Sequence, residues 1–281
     1  MVRQPIVAGQ FYAGSRDALL KQVKACFADK RGPGLPSGRT NETVAGAIVP
    51  HAGFMYSGPC AAFAYKTIAE GKKPDLFVIY GVNHHGLGGT ALLLDDFETP
   101  LGTVKVDRAF GEALLDSCRW LSDSAPVHAF EHSIEVQLPF LQFVMPSFEF
   151  LPIIVSSASH LDEIATAVRK VAVEQKKTVC VIASSDFTHF GENYGFMPFA
   201  PKRELIEKLD KGAIDNILRL DSAGFARYVE ETGATICGRL PIQLLLKTLQ
   251  AGKARLISYY LSGDIAGGYE NSVSYAAIVF S

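Results

Sequence analysis

Four of the seven histidines in this 281-residue chain stand in three short segments, each placed directly after an apolar run. The segments are Pro50-His51-Ala52-Gly53, Asn83-His84-His85-Gly86 and Ser184-Ser185-Asp186-Phe187-Thr188-His189, and the runs are Val44 to Val49, Leu76 to Tyr80 and Val179 to Ala183. Imidazole is the commonest metal ligand and the usual proton carrier near neutral pH, so the pattern points to a metal or acid–base site. Cys237, in Thr235-Ile236-Cys237-Gly238-Arg239, stands just before a helix expected from about Pro241. A thiol so placed has its thiolate favoured by the helix dipole and free N–H groups, as a ligand or a nucleophile.

Each residue alone has an ordinary explanation, and it is their accumulation that argues for chemistry. A lone strand-end histidine more often bonds a loop carbonyl, and a lone cysteine more often packs as a small hydrophobe. Adjacent side chains on an extended segment point to opposite sides, so one of His84 and His85 faces the crevice while the other holds the loop. Asp186 could bind a metal, orient His189 or cap a turn. Glu131-His132-Ser133-Ile134-Glu135 adds further pocket candidates, although the dipole at the start of a helix is sufficient reason for Glu131 and Glu135. Asp264 and the segment Asn271 to Tyr275 are expected to wall the crevice, and His128 and His160 have no supporting neighbours.

Elements able to bring these segments together can be read from the hydropathy pattern. Apolar β-type runs alternate with amphipathic stretches, which predicts an α/β fold with a central, largely parallel or mixed sheet flanked by helices. Strands are expected over Val44 to Val49, Leu76 to Tyr80, Thr90 to Phe97, Phe148 to Val155, Val179 to Ala183, Arg255 to Leu261 and Ser274 to Phe280. Helices are expected over Ser15 to Asp29, Gly58 to Ala69, Asp107 to Leu121, Ile134 to Val144 with Ser133 as cap, Leu161 to Val173, Pro201 to Asp215, Ser222 to Glu230 and Pro241 to Leu249. With no internal repeat or long linker, residues 1–281 read as one domain. Open α/β sheets bind ligands beyond the carboxyl ends of their strands, where the histidine segments fall.

Composition narrows the function classes. The formal net charge of −2 gives no electrostatic reason for nucleic acid or an anionic membrane. No apolar stretch approaches the roughly 20 residues that cross a bilayer, and the first residues lack the apolar core of a secretory signal, so a cytoplasmic location is expected. Five cysteines without a Cys-x-x-Cys pair suit reduced thiols better than a disulfide framework or a zinc knuckle.

Taken together, Pro50-His51-Ala52-Gly53-Phe54-Met55-Tyr56-Ser57-Gly58, Asn83-His84-His85, Glu131-His132-Ser133-Ile134-Glu135, Ser184-Ser185-Asp186-Phe187-Thr188-His189, Thr235-Ile236-Cys237-Gly238-Arg239 and Ser272-Val273-Ser274-Tyr275-Ala276-Ala277 resemble the Memo family. That family is similar in fold to the LigB-type class III extradiol dioxygenases, which hold non-haem Fe(II) through two histidines and a glutamate. The resemblance implies that His51, His84 and Cys237 are the metal-binding positions, with Asp186 and His189 lining the same pocket as catalytic candidates. His85, Glu131 and His132 are further pocket candidates. It also suggests functional partners, an AMMECR-type protein and a radical S-adenosylmethionine protein.

Two imidazoles and a thiolate are a soft donor set, which favours iron, copper or zinc over magnesium, calcium or manganese. The leading expectation is a metal-dependent oxidoreductase in which His51, His84 and Cys237 hold iron or copper and His189, oriented by Asp186, moves protons. The alternative is a non-catalytic protein that keeps a dioxygenase-like pocket for a small molecule or peptide. A third reading is metal-free nucleophilic catalysis by Cys237 with His189 or His51 as base, which predicts that iodoacetamide alkylates Cys237 much faster than a free thiol.

Overall fold

Unbroken runs rich in valine and isoleucine have no polar face to turn toward water and must be covered on both sides. The computed structural model, which describes residues 1–250 and 252–281, buries these runs at the centre of one mixed sheet. In chain order the strands are β1 (Val2–Arg3), β2 (Gly46–Val49), β3 (Leu76–Val82), β4 (Ala91–Leu92), β5 (Asp96–Thr99), β6 (Gly102–Val106), β7 (Ser122–Asp123), β8 (Glu149–Val155), β9 (Val179–Ser184), β10 (His189–Gly191), β11 (Ala254–Leu261) and β12 (Asn271–Phe280). Across the sheet they lie in the order β1-β5-β6-β8-β3-β9-β2-β12-β10, with β11 paired to β12 and β4 to β8.

The central strands β6, β8, β3, β9 and β2 are mutually parallel. β12 runs antiparallel to β2, and β10 and β11 pair antiparallel with β12. Every residue of β2 and β3 is buried. Two groups of helices cover the sheet: Arg16–Ala28, Phe54–Glu70 and Leu138–Val144 pack on one another, and Leu161–Glu174 packs against both Arg108–Ser117 and Arg239–Thr248.

Strand order, not chain order, builds the crevice. β2 and β3 are joined through helix Phe54–Glu70, yet β9 is inserted between them: Val49 pairs with Ser184, and Tyr80 with Ala183. The three chain segments therefore leave the sheet side by side at its carboxyl edge, carrying His51, His84 and Asp186.

Several expected elements differ in detail. Thr90 to Phe97 divides into β4, which pairs with β7 and β8, and β5, which pairs with β1 and β6. The helix expected over Ile134 to Val144 opens as a separate 3-10 turn, Glu135–Gln137, before Leu138–Val144. Ser133 caps neither, because its Oγ accepts the Val82 N–H of β3 at 2.9 Å. Pro152 lies inside β8 at a tolerated place: pairing with β6 stops at Phe150 and pairing with β4 begins at Ile153, so its missing N–H interrupts neither ladder. Among the described residues no helix is long and apolar enough to cross a membrane.

Candidate metal centre

Beyond the carboxyl edge of the sheet, one ligand atom each from His51, His84 and Cys237 lies within 4.8 Å of the other two. His51 Nε2 is 3.2 Å from Cys237 Sγ, and the His51 and His84 rings stand edge to face with centroids 5.2 Å apart. Cys237 reaches the cluster because Gly238 is its neighbour. A Cβ at Gly238 would stand 2.7 Å from the Ser184 carbonyl and collide with the Ser185 side chain, so only glycine lets this segment lie against the end of β9.

The His84 ring is set by Glu131. Its Nδ1 lies 3.0 Å from Glu131 Oε1, and the His84 backbone N–H donates to Oε2 at 2.8 Å. A carboxylate only accepts, so Nδ1 carries a ring hydrogen, and in the neutral ring Nε2 keeps its lone pair. Burial alone raises a carboxyl pKa, but the hydrogen bonds from His84 and from the Ser133 N–H outweigh it and hold Glu131 well below the usual range. Glu131 and Glu135, explained in the sequence by a helix dipole, thus have other work. Glu135 is buried and accepts from Arg3 Nη1 at 2.8 Å, Tyr12 Oη at 2.6 Å and the N–H groups of Ile6 and Val7, which ties the N-terminal segment to the pocket.

His85 points away: it is exposed, and its Nε2 contacts the Phe130 carbonyl oxygen at 2.7 Å. His132 stacks on His84 at 4.8 Å between centroids and lines the cavity, and burial lowers its pKa to about 4. Burial, with the neighbouring His84 and His132 rings, holds His51 well below the ordinary imidazole range, so its ring is neutral and available as a donor.

Asp186 and His189 share the pocket but not a hydrogen bond with each other. Asp186 Oδ1 accepts the N–H groups of His51 at 2.8 Å and Ala52 at 3.3 Å, which secures the chain leaving β2. His189 is oriented instead by two carbonyls, Phe187 at 3.0 Å and Thr235 at 3.2 Å from Nδ1, which leaves its Nε2 unprotonated in the neutral ring. Burial raises the Asp186 pKa against the effects of His189 and the two N–H groups.

The thiol also departs from the sequence expectation. The helix after Cys237 begins at Arg239, but burial, helped by Asp186, pushes the Cys237 thiol well above its ordinary pKa despite the N–H groups of Asp186 and Gly238. A thiolate there requires a cation beside it.

These groups open into a cavity of about 440 Å³ whose walls include Phe11, Tyr56, Tyr194, Asn271 and Tyr275. Asp264 is not among them; it pairs with Arg203 at 2.9 Å. A larger surface groove of about 790 Å³ along helices Arg203–Leu218 and Ser222–Thr232 has no histidine or cysteine in its lining. Sequence reasoning missed Ser184 and Gln137 beneath His51, and Asp210, which accepts from Thr188 Oγ1 at 2.6 Å next to His189. For Gln137, the alternation of Glu131, Ser133, Glu135 and Gln137 was the available signal.

A family model described as Memo-like protein matches residues 3–279. The chain belongs to the Memo family. A MEMO1 family protein of Methanopyrus kandleri is 40% identical over 292 residues, covering 100% of this chain and 99% of that relative. One from Nitrosopumilus maritimus is 36% identical over 288 residues and covers both chains fully. An uncharacterized protein from Escherichia coli K12, known from its crystal structure, superposes with a TM-score of 0.55 at 13% identity, over 85% of this chain and 100% of that one, a likeness of fold alone.

For this Memo-family chain, the donor set passes a chemical test for a metal. First-row ions bind imidazole and thiolate at about 2.0–2.3 Å, which requires donors spaced as these are. His84 offers a ring nitrogen to the cluster, its Nδ1 is anchored to a carboxylate as in known metal sites, and the Cys237 sulfur completes a set of two imidazoles and one thiol suited to a soft first-row ion. The cavity in front of the cluster, about 440 Å³, has room for a small organic molecule.

Proposed function

We propose that the protein is a metal-dependent oxidoreductase with a dioxygenase-like pocket, in which His51, His84 and Cys237 hold iron or copper. The observation that carries this reading is the convergence of two imidazoles and one thiol, from three remote parts of the chain, within 4.8 Å. The softness of the set favours iron, copper or zinc, and of these iron and copper supply redox chemistry toward O₂ that no side chain of the pocket offers.

The chain's own residues have separate tasks in this reading. His189, with Nδ1 committed to two carbonyls, presents Nε2 to take a proton from a hydroxyl of the organic ligand. Asp186 holds the His51 segment in register. Phe11, Tyr56, Tyr194 and Tyr275 offer flat faces that orient the ligand and limit water.

The metal-free cysteine mechanism is less favoured: burial holds the Cys237 thiol well above its ordinary pKa, so a base such as His51, whose Nε2 lies 3.2 Å from Sγ, would have to take its proton, and the convergence of His84 on the same point would be left unexplained. A phosphorylated peptide is also disfavoured as occupant: none of the fifteen lining residues is lysine or arginine, the usual partners of phosphate. Anaerobic loading with Fe(II) or Cu(I), followed by O₂ uptake in a screen of small organic reductants, tests the proposal. Ligand-dependent O₂ uptake that disappears in His84→Ala supports it. A folded protein that binds both metals but consumes no O₂ with any ligand points to the binding-only alternative.

A further inference from the structure

His51 is a pocket histidine whose ring hydrogen cannot be placed from its immediate neighbour. Its Nδ1 lies 3.0 Å from Ser184 Oγ, and a hydroxyl can donate or accept. The next atoms outward remove the ambiguity. Ser184 Oγ lies 2.6 Å from the Ser133 carbonyl, which can only accept, so the single hydroxyl hydrogen is committed there. One lone pair of Oγ is taken by Gln137 Nε2 at 2.8 Å. The amide cannot be reversed, because Nε2 also donates to the Pro50 carbonyl at 3.0 Å while Oε1 accepts from Tyr65 Oη at 2.6 Å. Only an acceptor position is left on Ser184 for His51.

We infer that Tyr65, Gln137 and Ser184 form a buried positioning relay that imposes the Nδ1–H tautomer on His51 and so turns an unprotonated Nε2 toward Cys237. The relay is anchored by the Pro50 and Ser133 backbone carbonyls and stiffened by the stacking of Tyr65 on Phe140, with centroids 5.1 Å apart and planes within 5°. Gln137, Ser184 and Tyr65 are each fully or almost fully buried, so water cannot substitute for a missing partner without a cavity. The Cys237 sulfur, 3.2 Å from Nε2, then meets a lone pair and not a competing N–H.

The tautomer itself does not depend on the metal reading, whereas its use as a ligand does, and the test separates the two. Chelator-treated protein with ¹⁵N-labelled histidine is measured at pH 7.5 by long-range proton–nitrogen correlation, His51 being assigned by the signal lost in His51→Gln. The expected result is an Nδ1–H, Nε2-unprotonated pattern for His51, redistributed between the two nitrogens in Ser184→Ala and retained in Ser184→Thr. Cu(I) affinity, measured against a chromophoric chelator, is expected to fall 10–100-fold in Ser184→Ala, the usual effect of losing a second partner of a ligand. An Nε2–H pattern in the unaltered protein overturns the inference without any variant having to fold, as does an unchanged pattern in Ser184→Ala. The expected tautomers in a protein that binds neither Cu(I) nor Fe(II) uphold the relay and defeat the metal proposal.

Discussion

Glu131 grips His84 at two points, accepting the backbone N–H at 2.8 Å on one carboxylate oxygen and facing the ring Nδ1 at 3.0 Å with the other. One side chain thereby sets both the course of the loop after β3 and the direction of the ring. Glu131→Gln keeps the shape but loses the charge that fixes the ring hydrogen. Metal affinity is expected to fall about 10–100-fold, the range for partners of metal-bound histidines, with far-ultraviolet circular dichroism unchanged. Competition with a chromophoric chelator checks it.

The histidine pair provides an internal control. His84 lies in the cluster, whereas His85 is exposed and bonded to the Phe130 carbonyl. His84→Ala should lower affinity by more than the roughly 100-fold upper range of an outer partner, and His85→Ala should leave it within about twofold. Equal losses would place the wrong imidazole in the site.

Arg3 and Glu135 form an ion pair with side-chain exposures of 7% and 0%. Removing one partner of such a pair strands the other in the interior, so Arg3→Ala should cost about 3 kcal/mol in urea unfolding. Adding Glu135→Gln should recover part of that loss, a coupling read from the double-mutant cycle.

His128 supplies a pH dependence away from the site. It is buried with Nε2 3.0 Å from the Ala91 carbonyl, and burial lowers its pKa from the ordinary 6.5 to about 4. The unfolded chain therefore binds a proton that the folded chain refuses as pH falls below 6.5, and stability is lost progressively until the folded pKa is passed. Between pH 7 and pH 5 this one group should cost about 2 kcal/mol. His128→Gln, which can still donate to Ala91, should flatten the pH dependence of unfolding stability by that amount.

Cys237 offers the clearest contrast between an isolated thiol and a bound one. Because burial and Asp186 push its pKa well above the ordinary value, metal-free Cys237 should react with iodoacetamide at pH 7.5 at least about tenfold more slowly than a free thiol. Fast alkylation of the chelated protein, located by peptide mapping, would revive the nucleophile reading.

The sequence made the strand ends legible because continuous valine and isoleucine runs have few places to go, and the segment leaving each parallel strand lands at one edge of the sheet. His51, Asp186 and one member of the His84–His85 pair could be named on that basis, and the choice of His84 came from the family resemblance. Their supports could not: Glu131 stands 47 residues from His84, and its place before a helical segment already had a sufficient local explanation. Ser184 and Gln137 were hidden for the same reason: a serine has an ordinary place at a strand end, and the polar alternation that runs through Gln137 gains its meaning only once β9 and the Ser133 segment are packed together. The protonation of Cys237 was misread because a helix terminus is local and visible, whereas the burial that outweighs it is tertiary.

X-ray absorption at the metal edge, on protein loaded anaerobically with one equivalent of Cu(I) or Fe(II), addresses the shared ion most directly. The account predicts one sulfur and two imidazole nitrogens around the metal at bonding distances of about 2.0–2.3 Å, with the sulfur contribution lost in Cys237→Ser. A bound metal with no sulfur neighbour, or a spectrum unchanged by that substitution, would contradict it.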